Sequence, residues 1–499
     1  MINPKIGAAV AAALGVAGLG ATGLAQAAAP TLAQCVGFEA GINPAPPGGA
    51  TVALYVSGSS AAQTGMAYAM GNDVFGGVTN LTIIKANGAN KINFQAFCGI
   101  SNGTVAEFGG AGTQVLIYYR AEGGSVSGLL PILADGNGTA TGRAPNSGQI
   151  NQLQLSGINQ GAAVQSAGPQ GETVFTIQAA DITGTSVAQG PTDAFGGAVQ
   201  LKWSDIGVTD EEPGVFGPGN GVTTGVNYPT PYNATIYGSM TVAEITAVGK
   251  TRGFQQAFGL YVNNGIGATG PVILAQSTAL GLVTHTFSDW ATVPNQATPG
   301  SAATAAATPV VWIDREVGSG SRAAFGIYFL GYGCGGSAKI PDSNPANDGW
   351  ATSVVLAAVA TTAGGITYAS IDNAAPAGAT KVALGEATLP TNLDSASNVY
   401  PFWFESWFVQ NSKASTHNQD GHGTGAAVWT DITSNGRFVL EHSAPHSGQV
   451  NSIPNIGGTV TKNPVNALLT KDTIGTASIF NAAWTRGGNS CSAPVQATH

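Results

Sequence analysis

An arginine and two serines follow a short apolar run in residues 310–330, VVWIDREVGSGSRAAFGIYFL. The apolar run predicts a buried strand, and the residues after the loop predict a helix that stops at Gly331 and Gly333. Loop glycines let the backbone approach a ligand closely, and the first N–H groups of a helix have no partner within it. Together with the hydroxyls of Ser319 and Ser321 and the planar guanidinium of Arg315, these groups predict an oxyanion site.

The same order of strand, small-residue loop and helix occurs twice more in the chain. We therefore expect two further loops to be positioned by a strand on one side and a helix on the other. Residues 51–56 predict a strand, Ser57-Gly58-Ser59-Ser60 a loop, and residues 61–70 a helix capped by Gly71. Residues 114–119 predict another strand, residues 120–125 its loop and residues 126–133 a helix. These units predict an α/β protein with its sites at the carboxyl ends of parallel strands.

Three further segments lack this succession. Residues 136–200 are rich in Gly, Gln, Ser and Thr with weak alternation, which predicts a partly β insertion. Residues 295–308 and 412–426 are of low complexity and predict surface loops. No motif repeats at a fixed period, which excludes a solenoid.

The first 27 residues predict a secretory signal peptide. Lys5 precedes an apolar stretch, and Ala25-Gln26-Ala27 matches a cleavage site. No later stretch is apolar enough to span a bilayer, so we expect an exported protein, periplasmic or secreted. Only 9% of the residues are charged and the net charge is −9, without a basic run, which excludes nucleic-acid binding as a function class.

Four cysteines remain after the predicted cleavage site: Cys35, Cys98, Cys334 and Cys491. An even number in an exported chain predicts two disulfides. Three pairings are possible, and we favour Cys35–Cys98 with Cys334–Cys491. Free buried thiols are the alternative.

Eight short segments lie in a characteristic order along residues 50–410. They are VSGSSA (56–61), YYRAEGGSVSG (118–128), DIGVTDEEP (205–213), QAFGLYVNNG (256–265), FSDW (287–290), REVGSGSRAAF (315–325), GGITYASIDNAA (364–375) and NVYPFWFESW (398–407). Their order resembles that of the periplasmic phosphate-binding proteins of the PstS type. The most specific segment is Arg315 followed by Ser319-Gly320-Ser321. The resemblance implies a two-lobed class II periplasmic-binding-protein fold, here with a β-rich, loop-rich elaboration.

The resemblance also implies which residues contact the ligand. At the family's contact positions this chain has Ser59, Ser60, Ser125 and Asp210 in the first lobe and Arg315, Ser319, Gly320 and Ser321 in the second lobe. The chain departs from the family where Ser60-Ala61 replaces Thr-Phe, and Arg120 and Glu122 are not expected before the second loop. These two side chains could pair with each other at the rim of that loop. It is also longer than a typical member.

The lobes implied by this resemblance are joined by two crossing segments. The first lobe would contain residues 28–255 and the returning segment 372–499, and the second lobe residues 256–371. The implied function is capture of inorganic phosphate in the cleft, for an ABC-transporter complex or as an extracellular scavenger. No enzymatic activity, cofactor or metal is implied, and we expect a monomer.

A carboxylate in an anion site is explained by the protons of the ligand. HPO₄²⁻ or H₂PO₄⁻ can donate a hydrogen bond to Asp210, whereas sulfate has no proton and would be repelled. The serine hydroxyls, the helix amides and Arg315 would supply the donors that a buried anion needs.

Simpler interpretations remain open for each of these residues. Arg315 could pair with Glu316, Ser57–Ser60 could form an ordinary turn, and Asp210 could belong to a solvated acidic loop. A secreted phosphatase, or a surface protein that kept the fold without the site, would be the alternative functions. The histidines are expected in polar loops, although His442-x-x-x-His446 has a spacing compatible with a metal.

Overall fold

The structure is a computed structural model. It describes residues 28–44, 48–63, 66–67, 70–71, 74–88, 92–121, 124–137, 148–168, 171–177, 199–216, 242–266, 272–295, 301–303, 307–315, 318–331, 349, 351–371, 373–385, 400, 402–434, 453–454, 461–462, 470–474, 477–481, 484–485, 490–491, 493 and 495–496.

The described strands vary in length from two to 14 residues. They are β1 (Thr51–Gly58), β2 (Thr82–Gly88), β3 (Ile92–Ile100), β4 (Gln114–Arg120), β5 (Gln149–Leu153), β6 (Val164–Ala167), β7 (Thr173–Ile177), β8 (Val199–Trp203), β9 (Ile206–Thr209), β10 (Lys250–Asn263), β11 (Ile273–Leu274), β12 (Pro294–Asn295), β13 (Ser301–Ala302), β14 (Val311–Trp312), β15 (Gly365–Ser370), β16 (Ala379–Leu384), β17 (Trp403–Gln410), β18 (Ile453–Pro454), β19 (Thr461–Lys462), β20 (Thr470–Ile474), β21 (Ala477–Asn481), β22 (Trp484–Thr485) and β23 (Val495–Gln496).

Most of the described helices are short and lie between strands. They are α1 (Leu32–Ala40), α2 (Leu130–Ile132), α3 (Val242–Ala247), α4 (Gln276–Val283), α5 (Gly320–Leu330), α6 (Thr352–Thr361), α7 (Ala414–His417) and α8 (Thr424–Ser434).

A mixed sheet of 14 strands organises the molecule. Its main path runs β11-β16-β10-β17-β9-β1-β4-β3-β2-β7-β6, and β14, β15 and β18 join it beside this path. The long strand β10 belongs to both halves of the sheet. Its first part pairs with β17, as Lys250 with Val409, and its second part pairs with β15 and β16, as Leu260 with Tyr368 and Val382. Because β17 also pairs with β9, β10 and β17 connect the two halves.

Each half of the sheet has its own hydrophobic core. One face of the β1–β4 half packs Leu54 and Ile117 against Trp429 of α8, and the opposite face packs against α1 and β5. The other half has a separate, aromatic-rich core that includes Trp290 and Phe325. Full burial of a large apolar side chain stabilises a fold by about 1.5–3 kcal/mol, so each core stabilises its own lobe. The chain is therefore a two-lobed α/β protein, which confirms the predicted fold class.

The second core continues beyond residue 372, where the sequence analysis expects the chain to return to the first lobe. β16 pairs with the second part of β10, and Tyr400, Phe402 and Trp403 are buried in the second core. The crossing back takes place along β17, which is shared by both halves of the sheet.

Local predictions from apolar runs agree with the structure, and predictions from composition do so less well. The expected strands coincide with β1, β4 and β14, and α5 ends at Gly331, whose φ of 63° is left-handed. The helix expected over 126–133 is broken into a 3-10 turn (Gly124–Gly128), α2 and a π-type turn.

The insertion is partly β, as expected, and two loop predictions need correction. Residues 136–200 contain β5, β6 and β7, and β6 and β7 extend the central sheet. The prediction of a surface loop at 412–426 is wrong, because this segment contains α7, the start of α8 and the buried Asp420. Within 295–308, β12 and β13 form a short antiparallel pair.

Cys35 and Cys98 form the predicted disulfide, which ties α1 to β3 across 63 residues. Closing a loop of this length stabilises a fold by about 4 kcal/mol in the chain-entropy treatment. Cys491 is also disulfide-bonded, and its predicted partner Cys334 lies outside the described residues. The predicted signal peptide, residues 1–27, lies outside them too. Within the described part of the chain, no helix combines the length and apolar character needed to cross a membrane.

Candidate functional site

The loops after β1, β4 and β9 meet at one edge of the sheet because the three strands are parallel neighbours. β1 pairs with β4 over residues 51–57 and with β9 over residues 56–58. The carboxyl ends of these strands therefore lie side by side, and the loops that follow them carry Ser59, Ser125 and Asp210. The second lobe contributes the N-terminus of α5 to the same place.

Asp210 is the centre of this arrangement and is only 2% exposed. The Ser59 hydroxyl donates to Asp210 Oδ1, and the Ser321 hydroxyl of the other lobe lies 3.5 Å from Oδ2. The Asp210 amide donates to Ser125 Oγ at 2.8 Å. One buried carboxylate thus faces hydroxyl groups from both lobes, and its backbone is fixed by a third serine.

Ser59 holds the first loop in place. Its hydroxyl oxygen accepts hydrogen bonds from the amides of Ala61 and Ala62, at 3.0 and 3.1 Å, where the chain turns into helical structure. Its carbonyl accepts from the Tyr119 hydroxyl at 2.8 Å. Burial, and secondarily the negative charge of Asp210, raises the pKa of Tyr119 well above its usual value, so this phenol remains a proton donor.

Gly320 allows the two lobes to touch. A Cβ atom at this position would lie 2.1 Å from Ser125 Oγ and 2.5 Å from Asp210 Cβ, so any larger residue would force the loops apart. Close by, the Val126 amide donates to the Gly318 carbonyl at 3.1 Å. These contacts join the loop after β4 directly to the loop before α5 in the other lobe.

Arg315 is 1% exposed and is held by the segment that leads into α6. Its Nε donates to the Gly349 carbonyl at 3.1 Å, and its Nη1 donates to Thr352 Oγ1 at 3.0 Å. The alternative partner Glu316 lies outside the described residues. Thr352 Oγ1 also lies 3.5 Å from Ser60 Oγ of the first lobe. Arg315 and Ser60 therefore approach each other through Thr352.

A polar network supports the loop that carries Arg315. Ser319 caps α5 by accepting a hydrogen bond from the Arg322 amide at 3.3 Å. The Arg322 guanidinium lies 3.3 Å from Asp314 Oδ2 and donates to the Arg315 carbonyl at 2.7 Å. Tyr368 donates to the other oxygen of Asp314. These contacts fix the backbone on both sides of the loop.

The eight residues predicted for the site fall into two connected groups. Ser59, Ser125, Gly320 and Ser321 all lie against Asp210, and Ser60 and Arg315 both approach Thr352. Ser319 directs its hydroxyl to the backbone of α5. The prediction missed Thr352, whose only sequence signal is its position at the start of a helix-like run, and it missed Tyr119 and the Asp314–Arg322 pair.

Arg120 was expected at the rim of its loop, and that prediction is wrong. It is fully buried, with its guanidinium 4.7 Å from the centre of the Phe94 ring. Its Nη1 donates to the Asn151 carbonyl of β5 at 2.8 Å. Its expected partner Glu122 lies outside the described residues. The arginine therefore ties the sheet to the insertion, because the strand alternation directs it to the face that β5 covers.

Two histidines of the described residues, His417 and His422, make structural contacts. His417 Nε2 lies 2.6 Å from Asp135 Oδ2, and its ring stacks on Trp203. His422 Nε2 lies 3.0 Å from the Gly49 carbonyl. Over the ranges that the structure describes, no three His, Cys, Asp or Glu side chains are grouped as metal ligands, and residues 442 and 446 lie outside those ranges.

No protein-family model and no curated protein matches the chain. Among solved structures, an ABC-type phosphate transport receptor from Vibrio cholerae is 15% identical, covers 50% of this chain and 80% of its own, and has a TM-score of 0.30. PstS from Borrelia burgdorferi is 14% identical with 48% and 78% coverage and a TM-score of 0.28. A possible phosphate-binding protein from Planctomyces limnophilus is 14% identical with 40% and 68% coverage and a TM-score of 0.26. The superpositions are partial, and the chain's own strand order and its separate hydrophobic cores define the two lobes.

Proposed function

We propose that this chain is an exported binding protein that captures inorganic phosphate in the cleft between its two lobes. The observation that supports this proposal is the position of Asp210, a carboxylate that is 2% exposed and faces hydroxyls from both lobes. A buried carboxylate among hydroxyl donors suits a ligand that is itself an anion and also carries a proton.

The surrounding groups match the needs of a dry tetrahedral anion. Each ligand oxygen requires donors, because an unpaired buried charge is very costly. In the proposal the Ser59 and Ser321 hydroxyls turn from Asp210 to the anion when it enters. The Ser60 and Ser125 hydroxyls, the first amides of α5 and the Arg315 guanidinium provide the other donors. Ser319 and Gly320 contribute through the backbone at the start of the helix, where the dipole also favours an anion.

Binding would couple to movement of the lobes. β10 and β17 are the two strands that belong to both halves of the sheet, so bending at these strands would open the cleft. The wall formed by Gly320 would separate from Ser125 and Asp210 to admit the anion and would close behind it. In this proposal the protein is a monomer without cofactor or catalytic residues, which acts outside the cytoplasm and delivers phosphate to an ABC-transporter complex or retains it.

A thermal-unfolding panel with phosphate, arsenate, sulfate and molybdate tests the proposal. A ligand that binds only the folded state stabilises it by about 2.7 kcal/mol at a concentration of 100 times Kd. We expect phosphate and arsenate to raise the midpoint and sulfate to leave it unchanged. A chain that responds to none of the four anions would instead be a surface protein with the two-lobed fold and without this site. Hydrolysis of a phosphomonoester would favour a secreted phosphatase.

A further inference from the structure

Thr352 occupies the gap between two residues of the proposed site. It is the first residue of α6, it is 5% exposed, and it lies between Arg315 of its own lobe and Ser60 of the other lobe. The residue before it, Ala351, offers no side-chain cap to the helix. The Thr352 side chain is therefore placed by its two neighbours and its helix, and it does not serve as a cap.

The hydrogen-bond chemistry of Thr352 fixes the direction of its proton. A hydroxyl has one proton and two lone pairs, and Arg315 Nη1 has only protons to offer. Because Thr352 Oγ1 accepts from Arg315 at 3.0 Å, its own proton must point to another acceptor. Ser60 Oγ, at 3.5 Å, lies beyond the 2.5–3.0 Å range of a normal O–H···O bond.

We infer that Thr352 is a ninth contact of the anion site, with two roles. Its hydroxyl proton donates to an anion oxygen that sits beside Thr352 and Ser60, and its oxygen holds the Arg315 guanidinium in position. This inference rests on the proposed function, since it names a further residue of the same cleft. It also explains the long Ser60–Thr352 separation, because an oxygen seated beside the two hydroxyls would accept a proton from each.

The two roles reinforce each other. Polarisation by the Arg315 cation makes the Thr352 proton a better donor, because hydrogen bonds in a chain strengthen one another in a low-dielectric interior. The donor set of the second lobe then consists of a cation, a hydroxyl polarised by that cation and the amides of α5. A valine at this position has nearly the same shape but would leave Arg315 Nη1 facing a methyl group.

Calorimetry with inorganic phosphate on the full chain tests the inference with three variants. Thr352→Val removes the hydroxyl, Thr352→Ser keeps it, and Thr361→Val removes a hydroxyl from the exposed end of the same helix, where it bonds only to backbone carbonyls at 3.2 and 3.3 Å. Loss of a hydrogen bond to a charged group is worth roughly 1.5–3 kcal/mol, so Thr352→Val should weaken phosphate binding about 10- to 100-fold. Thr352→Ser and Thr361→Val should bind phosphate close to the wild-type affinity.

A double-mutant cycle with Arg315→Ala separates the two roles. The effect of Thr352→Val should shrink but persist when Arg315 is absent, because only the positioning part acts through the guanidinium. Wild-type affinity in Thr352→Val, or equal losses in the valine and serine variants, would overturn the inference, as would a drop in the ligand-free unfolding midpoint that accounts for the loss. If the wild type itself binds no phosphate, the proposed function fails, and that result is distinguishable because all variants are then silent.

Discussion

At the residue scale, the proposed preference for phosphate over sulfate depends on Asp210. Asp210→Asn removes a buried negative charge and supplies an amide donor, so we expect sulfate binding to improve relative to phosphate. Like charges held together in a dry site cost several kcal/mol, which sets the order of magnitude of the change. Competition calorimetry with phosphate and sulfate measures the change in their relative affinities.

Asp205→Asn is the matched control for this substitution. Asp205 belongs to the same segment and is 5% exposed, but it accepts hydrogen bonds from the Tyr55 amide and from Gln419, away from the cleft. The Asp205→Asn substitution should leave the preference for phosphate over sulfate unchanged. Equal affinity of the wild type for the two anions would show that Asp210 does not discriminate, and the phosphate proposal would then be wrong.

The chemistry of single residues was visible in the sequence, and their partners were not. Ser59, Asp210 and Gly320 belong to short motifs in which glycine and hydroxyl side chains follow a strand, so their approximate position followed from local pattern. Thr352 has no such motif, because its role depends on an arginine 37 residues earlier in the chain and on a serine in the other lobe. Contacts of this kind follow from tertiary structure alone.

At the element scale, a buried carboxylate pins β1 to the turn between β8 and β9. Burial is the main cause that raises the pKa of Asp205 from 3.8 to about 7. The folded protein therefore keeps a proton that the unfolded chain releases near pH 4, and the free energy of unfolding should fall as the pH rises from about 4 to 7. The difference between the two pKa values corresponds to roughly 4 kcal/mol in the free energy of unfolding.

Asp205→Asn should remove this part of the pH dependence. The variant should gain stability relative to the wild type between pH 4 and 7 and keep that gain above pH 7, because its amide has no proton to lose over this range. Urea unfolding of both proteins at a series of pH values measures the difference. Parallel profiles for the two proteins would show that Asp205 does not titrate in this range.

Elements were predictable where apolar residues dominated and unpredictable where polar residues carried tertiary contacts. β1 and β4 are runs of buried residues, so their sequences alone define them. The segment 412–426 is polar, yet Asp420 accepts hydrogen bonds from the amides of Ala53, His422 and Gly423 and fixes the segment on the sheet. The polar composition of this segment predicted a surface loop. Composition does not show that a polar side chain accepts hydrogen bonds from backbone amides far away in the sequence.

At the scale of the whole molecule, the C-terminal extension, meaning the described residues between 453 and 496, contacts both β10 and the segment that carries Asp210. β18 pairs with β10 at Phe254 and Gln255, next to an irregularity in the pairing of β10 with β17. Ser490 and Glu212 bond reciprocally, with the Ser490 amide donating to Glu212 Oε2 at 3.0 Å and the Glu212 amide donating to Ser490 Oγ at 3.3 Å. Glu212 lies two residues after Asp210, so the extension fixes the segment that carries the central carboxylate.

Cys491, next to Ser490, is disulfide-bonded and exposed, so its disulfide is accessible to a reductant. Cys491 is exposed, whereas Cys35 and Cys98 are fully buried, so mild reduction should open the Cys491 bond first. Alkylation followed by mass spectrometry should then find Cys491 modified, together with Cys334 if that is its partner, while Cys35–Cys98 stays intact.

Hydrogen exchange of residues 207–212 should increase in the partly reduced protein, because the Ser490–Glu212 contact loses its anchor. Ser490→Ala, which removes one of the two reciprocal bonds, should give a smaller increase in the same peptide without reductant. Unchanged exchange at 207–212 after selective reduction would show that the segment is held by the first lobe alone.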